Sequence, residues 1–274
     1  MMPQPSSSPQ QCHDAEDRNR QQLLGFTENG HALLRQMLPR AGVEALRPVF
    51  QAYIAQMHKS LNAYEKSIGA SATRATFNLL EAPQEIRDFI CSPRLGEIAA
   101  QALDAPRVRM LHFNGFFKPG GGMATPWHQD MTYIPLDCAD TVTLWVPLVP
   151  VSQSMGSLAF ATGSHRHGLE GLVNAQTKFP IAVNMPMEPG DISLHHGWTA
   201  HRSHPNQSQY TREAIAISYY PDGARVRVAA GAPAMVRSIL EDCLPGLSPG
   251  DPAQGPATPI VFDRTKPYSQ TGKV

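Results

Sequence analysis

The 274-residue chain predicts a mainly β protein, an antiparallel sandwich or barrel preceded by a layer of helices. Three observations carry that prediction. Apolar residues recur at helical spacing up to about Leu103, and the pattern switches to period two near Arg107. Gly and Pro turn signals then divide the chain into short segments as far as Val228. A 42% hydrophobic share is enough for one sizeable core, and sandwiches and barrels of this length form single domains. The expected organisation is a disordered tail over residues 1–20 and one domain over 21–274. Within it fall a helical layer over about 26–105, a β core over about 107–228, and a C-terminal helix and strap over about 229–274.

Each element has its own signal. Residues 1–20 are rich in Gln, Ser, Pro and charge, a composition that buries too little apolar surface to offset the entropy of ordering. The run from His31 to Leu38 has the spacing of a buried helical face, and Pro39 ends it. Val43, Leu46, Val49, Phe50, Ile54 and Met57 form a second stripe, predicting a helix from Val43 to Tyr64. Pro83 and Pro93 open two shorter helices, the second containing Leu95, Ile98 and Ala99.

The β half alternates. Val142, Leu144, Val146 and Leu148 share one face of a strand, with Thr143 and Trp145 on the other. Between Arg212 and Tyr220, Ile215, Ile217 and Tyr219 oppose Arg212, Ala214, Ala216 and Ser218. Turns are predicted at Pro119-Gly-Gly-Gly122, Met155-Gly156, Gly163-Ser164 and Pro189-Gly190-Asp191. An apolar segment, Met235 to Leu244, precedes a tail rich in Pro, Gly and Asp with one short strand at Pro259-Ile-Val-Phe262.

Charge narrows the function classes. Lys plus Arg and Asp plus Glu both number 23, so there is no basic footprint for nucleic acid or an anionic membrane, and the expected partner is a small molecule. Cys12, Cys91, Cys138 and Cys243 are scattered without a paired motif. The start has no cationic apolar leader, and no apolar run approaches the roughly 18 residues of a membrane span, so the expected compartment is the cytoplasm. The oligomeric state has no signal in the sequence.

Two segments concentrate unusual side chains. In Thr125-Pro-Trp-His128-Gln-Asp130, extended backbone points His128 and Asp130 to the same side, where they can grip one ion. The segment from Pro189 to Ser208 offers a third ligand from a distant strand, with His195, His196, His201 and His204 as candidates. Two imidazoles and one carboxylate on one face of an octahedral ion leave three positions open, which suits non-haem Fe(II) and O2. Arg212 points into the barrel from a strand whose same-side neighbours are Ala and Ser, a costly placement unless it meets an anion. A guanidinium fork grips a carboxylate through two parallel hydrogen bonds. Fe(II) with one Asp retains +1, a dianionic oxo-acid brings the sum to −1, and Arg212 restores neutrality.

Trp127-His-Gln-Asp130, Ser157-Leu-Ala-Phe-Ala-Thr-Gly-Ser-His165, Pro189-Gly-Asp191 and the spaced set His201, Ser203, Asn206, Ser208 and Arg212 resemble the phytanoyl-CoA dioxygenase family over about Phe26 to Tyr220. The resemblance implies a double-stranded β-helix, a jelly-roll core of cupin type, behind an N-terminal helical layer. It implies an Fe(II)- and 2-oxoglutarate-dependent dioxygenase using O2, with iron on His128, Asp130 and His201. Arg212 would hold the distal carboxylate of 2-oxoglutarate with help from Ser203, and Trp145 and Asn114 would line the same pocket. Related halogenases carry a small residue in place of the ligand carboxylate, so Asp130 favours hydroxylation over halogenation. Desaturation, cyclisation and epoxidation use the same site, and a cupin-like enzyme with another cosubstrate is the rival reading. His195 and His112 are candidate pocket residues, and His196 and His204 are expected at the surface or behind the ligands. His165 and His167 read as loop residues, and Lys118, Arg107 and Arg109 as ordinary surface charges. No concentrated basic run offers a coenzyme A site. Residues 168–180 are a candidate lid, and the C-terminal strap is expected to close the pocket's other side.

Overall fold

The computed structural model describes residues 9–60, 73–77 and 79–266. The last residues of the predicted 43–64 helix and the end of the strap lie outside the described residues. The helices are α1 (Pro9–Asn29), α2 (Arg40–Ser60), α3 (Gln84–Ile90), α4 (Pro93–Ala102), α5 (Ala175–Lys178) and α6 (Ala234–Cys243). The strands are β1 (His31–Leu34), β2 (Thr73–Phe77), β3 (Arg107–Lys118), β4 (Thr125–His128), β5 (Val142–Pro147) and β6 (Leu158–Ala161). They continue as β7 (Ile181–Val183), β8 (Ile192–His196), β9 (His201–Ser203), β10 (Arg212–Pro221) and β11 (Ile260–Asp263).

The strands form two antiparallel sheets. The larger runs β1-β8-β5-β10-β3-β11 with β2 also paired to β3, and the smaller runs β4-β9-β6-β7. The crossing order of strands distant in sequence is that of a jelly roll, as the sequence predicts. Val142, Leu144 and Val146 of β5 and Ile215, Ile217 and Tyr219 of β10 join the main core with residues of α2, α3 and α4. The opposite face of the same strands, Thr143, Trp145, Arg212, Ala216 and Ser218, lines a cavity between the sheets. Strand alternation therefore turns one set of β5 and β10 residues toward the helical layer and the other toward the cavity. Tyr219 donates its hydroxyl to the Ile90 carbonyl at the end of α3, and Tyr220 donates to Ala253 in the C-terminal strap.

The structure differs from the sequence reading in two places. His31–Leu34 is a strand, paired residue by residue with Ile192–His195, and not the start of a helix. Its Ala32 and Leu34 alternate into the core, and four residues are too few for apolar spacing to separate the two periods. The second difference is α1, which occupies Pro9–Asn29 where a disordered tail to residue 20 was expected; residues 1–8 lie outside the described residues. Tertiary contacts hold it. Asn19 brackets the backbone of Arg35, accepting from its N–H and donating to its carbonyl, both at 2.8 Å, and Phe26 is buried in the main core. The main sheet thus extends past the expected 107–228 core, taking β1 and β2 from the helical region and β11 from the strap. Among the described residues no helix is long and apolar enough to cross a membrane.

The Pro189-Gly190-Asp191 turn anchors β1 to the sheet. Gly190 has φ +104°, and a Cβ there would lie 2.7 Å from the Leu38 carbonyl oxygen. The buried Asp191 carboxylate accepts from the N–H groups of Gln36 (3.0 Å) and Glu188 (2.9 Å) and from Arg35 (2.7 Å). Arg35 is 42% exposed, so its ion pair adds little beside the two backbone caps. Asp191→Ala is expected to cost about 2–3 kcal/mol by orphaning those donors. A urea titration checks this, and an unchanged midpoint would show that the turn stands without the carboxylate.

Candidate active site

Three of the predicted residues converge at one end of the cavity. His128 ends β4 and His201 begins β9, directly opposite each other in the antiparallel register, and their ring centroids are 4.1 Å apart. Gln129 is extended (φ −126°, ψ 129°), so Asp130 returns to the same side as His128. Gln129 points the other way, its amide donating to the carbonyls of Gly168 and Trp198, both at 2.7 Å. The Asp130 Oδ1 lies 3.7 Å from the Nε2 of His128 and 3.7 Å from the Nε2 of His201. One donor atom from each of the three residues falls within 4.8 Å of the others.

The tautomers are set by the backbone. His128 Nδ1 lies 2.9 Å from the Pro126 carbonyl and His201 Nδ1 lies 2.9 Å from the Thr199 carbonyl. A carbonyl only accepts, so each Nδ1 carries the hydrogen and each Nε2 presents a lone pair toward Asp130. Burial, with His128 and His195 beside it, holds the His201 imidazole well below its usual pKa, so it is neutral at pH 7. Burial pushes the Asp130 carboxyl up, but His201, His195 and His128 outweigh it and hold it well below the usual carboxylate range. Its second oxygen, Oδ2, accepts from Thr143 Oγ1 (2.9 Å) and His195 Nε2 (3.1 Å). Oδ1 alone is left facing the two imidazoles.

The rival third ligands are engaged elsewhere. His196 Nε2 meets Asp140 at 3.1 Å, and its Nδ1 accepts from the Trp198 N–H. His204 Nδ1 meets Ser157 at 2.9 Å. His195 points into the cavity but spends Nε2 on Asp130. His196→Ala and His204→Ala are therefore expected to retain one equivalent of iron per chain. Loss of bound metal from either, by elemental analysis, would reassign the ligand set.

Arg212 stands at the opposite end of the cavity wall. It is 2% exposed; one guanidinium nitrogen donates to the Gly156 carbonyl, and Nε has no hydrogen-bond partner among the described residues. Its Cζ lies 5.4 Å from the Trp145 ring centroid, so the indole forms a wall for the guanidinium. Burial pulls its pKa down to about 10, and among the described residues no carboxylate offsets that cost. Ser203, Trp145 and Asn114 line the same cavity and are all buried. His112 also lines it, as do Tyr133, Ile134 and, from α6, Ile239.

Several expectations change. Lys118 is fully buried behind Ser203 rather than at the surface. It closes β3 on the same parity as His112, Asn114 and Phe116, so strand alternation had already turned it inward. Arg107 and Arg109 pair with Asp222 and hold β3 to the end of β10. Residues 168–180 contribute nothing to the cavity wall; Leu172 and Phe179 pack beside Trp127 instead. His165 sits in a short 3-10 stretch, bonded to the Thr27 carbonyl. The supports of Asp130, Thr143 and His195, were not assigned from sequence, because their role depends on the pairing of β5 with β8.

Comparison with known proteins places this geometry. The sequence pattern described as phytanoyl-CoA dioxygenase matches residues 26–214. A 1-deoxypentalenic acid 11-beta-hydroxylase from Streptomyces exfoliatus is 39% identical over 101 residues, covering 31% of this chain and 35% of the relative. A probable alpha-ketoglutarate-dependent hypophosphite dioxygenase from Stutzerimonas stutzeri is 31% identical over 119 residues, covering 38% of this chain and 42% of the relative. These matches span about a third to two fifths of the relatives' lengths. Among solved structures, a non-heme alpha ketoglutarate dependent carbocyclase from nogalamycin biosynthesis superposes with a TM-score of 0.73 at 22% identity, covering 90% of this chain and 97% of that one. An epimerase from the same biosynthesis, in complex with Fe3+ and alpha ketoglutarate, gives 0.70 at 20% identity, covering 90% and 99%. The shared feature is the fold.

Proposed function

The chain belongs to the phytanoyl-CoA dioxygenase family, and from that premise we propose that it is an Fe(II)- and 2-oxoglutarate-dependent dioxygenase that hydroxylates a small molecule of secondary metabolism. One observation carries the reading: two bare imidazole nitrogens and a carboxylate oxygen converge in a cavity that also holds a buried guanidinium with no acid beside it among the described residues. The donor set fits a ferrous ion. It supplies two neutral nitrogens and one anionic oxygen and leaves open positions for a cosubstrate and O2. When bound, iron would activate O2, the oxidant, with oxidative decarboxylation of 2-oxoglutarate to succinate and CO2 supplying two of the four electrons and the substrate C–H bond the other two.

The chain's own residues bind, orient and exclude. His128 Nε2, His201 Nε2 and Asp130 Oδ1 are the proposed ligands. Thr143 and His195, by occupying Oδ2, keep Asp130 to a single ligating oxygen. Arg212 receives the distal carboxylate of the oxo-acid, with Trp145 as the wall beside it and Ser203 and Asn114 lining the same space. Tyr133, Ile134 and Ile239 give the remainder of the cavity an apolar wall, suited to a substrate with an apolar body. With Arg107 and Arg109 committed to Asp222, a coenzyme A phosphate finds no free partner there. The small-molecule hydroxylase among the relatives supports the substrate class, and the presence of Asp130 supports hydroxylation. The test is succinate formation from 2-oxoglutarate by the iron-loaded protein under air, with and without candidate substrates. Absence of both turnover and uncoupled succinate would contradict the proposal.

A further inference from the structure

A second buried cation stands behind the proposed cosubstrate site. Lys118 pairs with Arg212 across β3 and β10, and it is 0% exposed. Its Nζ donates to Ser203 Oγ at 2.6 Å and to the His204 carbonyl at 3.0 Å. Ser203 Oγ in turn lies 2.9 Å from Thr125 Oγ1, its register partner on β4. Ser203, Thr125 and Arg212 line the cavity and Lys118 does not, so the amine sits one layer back from the ligand space. The Met155-Gly156 turn packs against both cations. The Gly156 carbonyl accepts from Arg212, and a Cβ on Gly156 would lie 3.1 Å from Lys118 Cδ.

The protonation state of the amine decides which way the hydroxyls point. An ammonium only donates, so Ser203 must accept from it and send its own hydrogen toward Thr125 or the cavity. A neutral amine has a lone pair and can accept from Ser203, which reverses the row and withdraws its hydrogens from the ligand space. Both cations are costly as they stand: burial, reinforced by Arg212, pulls Lys118 down to about 8, and neither has a carboxylate partner among the described residues. An incoming dianion removes that cost.

We propose that Lys118 is a positioning residue for the cosubstrate: as an ammonium it aims the Ser203–Thr125 hydroxyls into the cavity and adds a second positive charge behind Arg212, so that binding of the dicarboxylate is coupled to uptake of a proton by Lys118. This rests on the oxygenase reading of the same site. The proton comes from solvent and converts the amine to the ammonium; no other bond changes. The other titratable groups facing Lys118 do not share this behaviour. Arg212 on β10 stays charged with a pKa of about 10, and His204 after β9 is lowered by burial and by Arg202, so it is already neutral above pH 7.

The test uses the anaerobic iron-loaded protein and titration calorimetry at pH about 8.5 in two buffers of different ionisation enthalpy. With a group near 8 in the free protein, 2-oxoglutarate is expected to draw in up to roughly three quarters of a proton. Pyruvate carries the same oxo-acid head without the distal carboxylate and is expected to draw in none. Lys118→Met is expected to abolish the uptake, weaken 2-oxoglutarate about tenfold at pH 7 and flatten the pH dependence of binding between 7 and 9. Should that variant fail to fold, the contrast between the two oxo-acids in the unmodified protein decides alone. Zero uptake with 2-oxoglutarate, or equal uptake with pyruvate, overturns the inference while leaving the oxygenase reading standing. Failure of 2-oxoglutarate to bind overturns that reading and this inference with it.

Discussion

Asp130→Ala is expected to abolish turnover and weaken iron binding by at least about 100-fold, the largest effect of any single change in the cavity. The carboxylate supplies the one anionic ligand and neutralises half the charge of a divalent ion in a confined site. Its loss does more than delete a donor. Thr143 Oγ1 and His195 Nε2 lose the Oδ2 that both are bonded to, and His195 is 3% exposed, so water is a poor substitute. His128 and His201 remain in place through their bonds to the Pro126 and Thr199 carbonyls, so the fold is expected to survive with reduced thermal stability. The measurement is iron stoichiometry by elemental analysis alongside succinate formation. Retention of tightly bound iron with activity intact would place the metal elsewhere.

Arg212→Met is expected to raise the 2-oxoglutarate KM by about 100-fold or more while changing the KM of the oxidised substrate little. Methionine keeps most of the buried volume against Trp145 but removes the donors and the charge. Among the described residues the guanidinium makes a single hydrogen bond, to the Gly156 carbonyl, and its Nε makes none, so its remaining donors are available to an anion. Removing one partner of a buried charge pair strands the other, which is why the penalty falls on the cosubstrate. Steady-state kinetics with 2-oxoglutarate and substrate varied separately check the split. An unchanged 2-oxoglutarate KM would release Arg212 from the role.

Much of this site was legible in the sequence because strand alternation is a local rule. One extended residue between His128 and Asp130 suffices to aim both the same way, and the parity of Arg212 with Ala216 and Ser218 assigned them to one face of β10 before any partner strand was known. Choosing His201 among four histidines came from the family resemblance; in the structure its Nε2 faces Asp130 while His196 and His204 are bonded elsewhere. What escaped is non-local. The strand character of His31–Leu34 comes from β8, which lies more than 150 residues away. The order in α1 comes from contacts such as that between Asn19 and Arg35. Lys118 is different: its parity was readable, and the general expectation that lysines stay in water concealed it.

The most direct test of the account is an anaerobic titration of the iron-loaded protein with 2-oxoglutarate, followed by visible absorption. Chelation of ferrous ion by an oxo-acid produces a charge-transfer band that neither component shows alone. The account predicts a band that saturates at one equivalent of iron and one of 2-oxoglutarate per chain, disappears in Asp130→Ala and requires far more cosubstrate in Arg212→Met. A protein that takes up iron at His128, Asp130 and His201 yet gives no band at saturating 2-oxoglutarate would contradict it and favour a cupin-like enzyme with another cosubstrate.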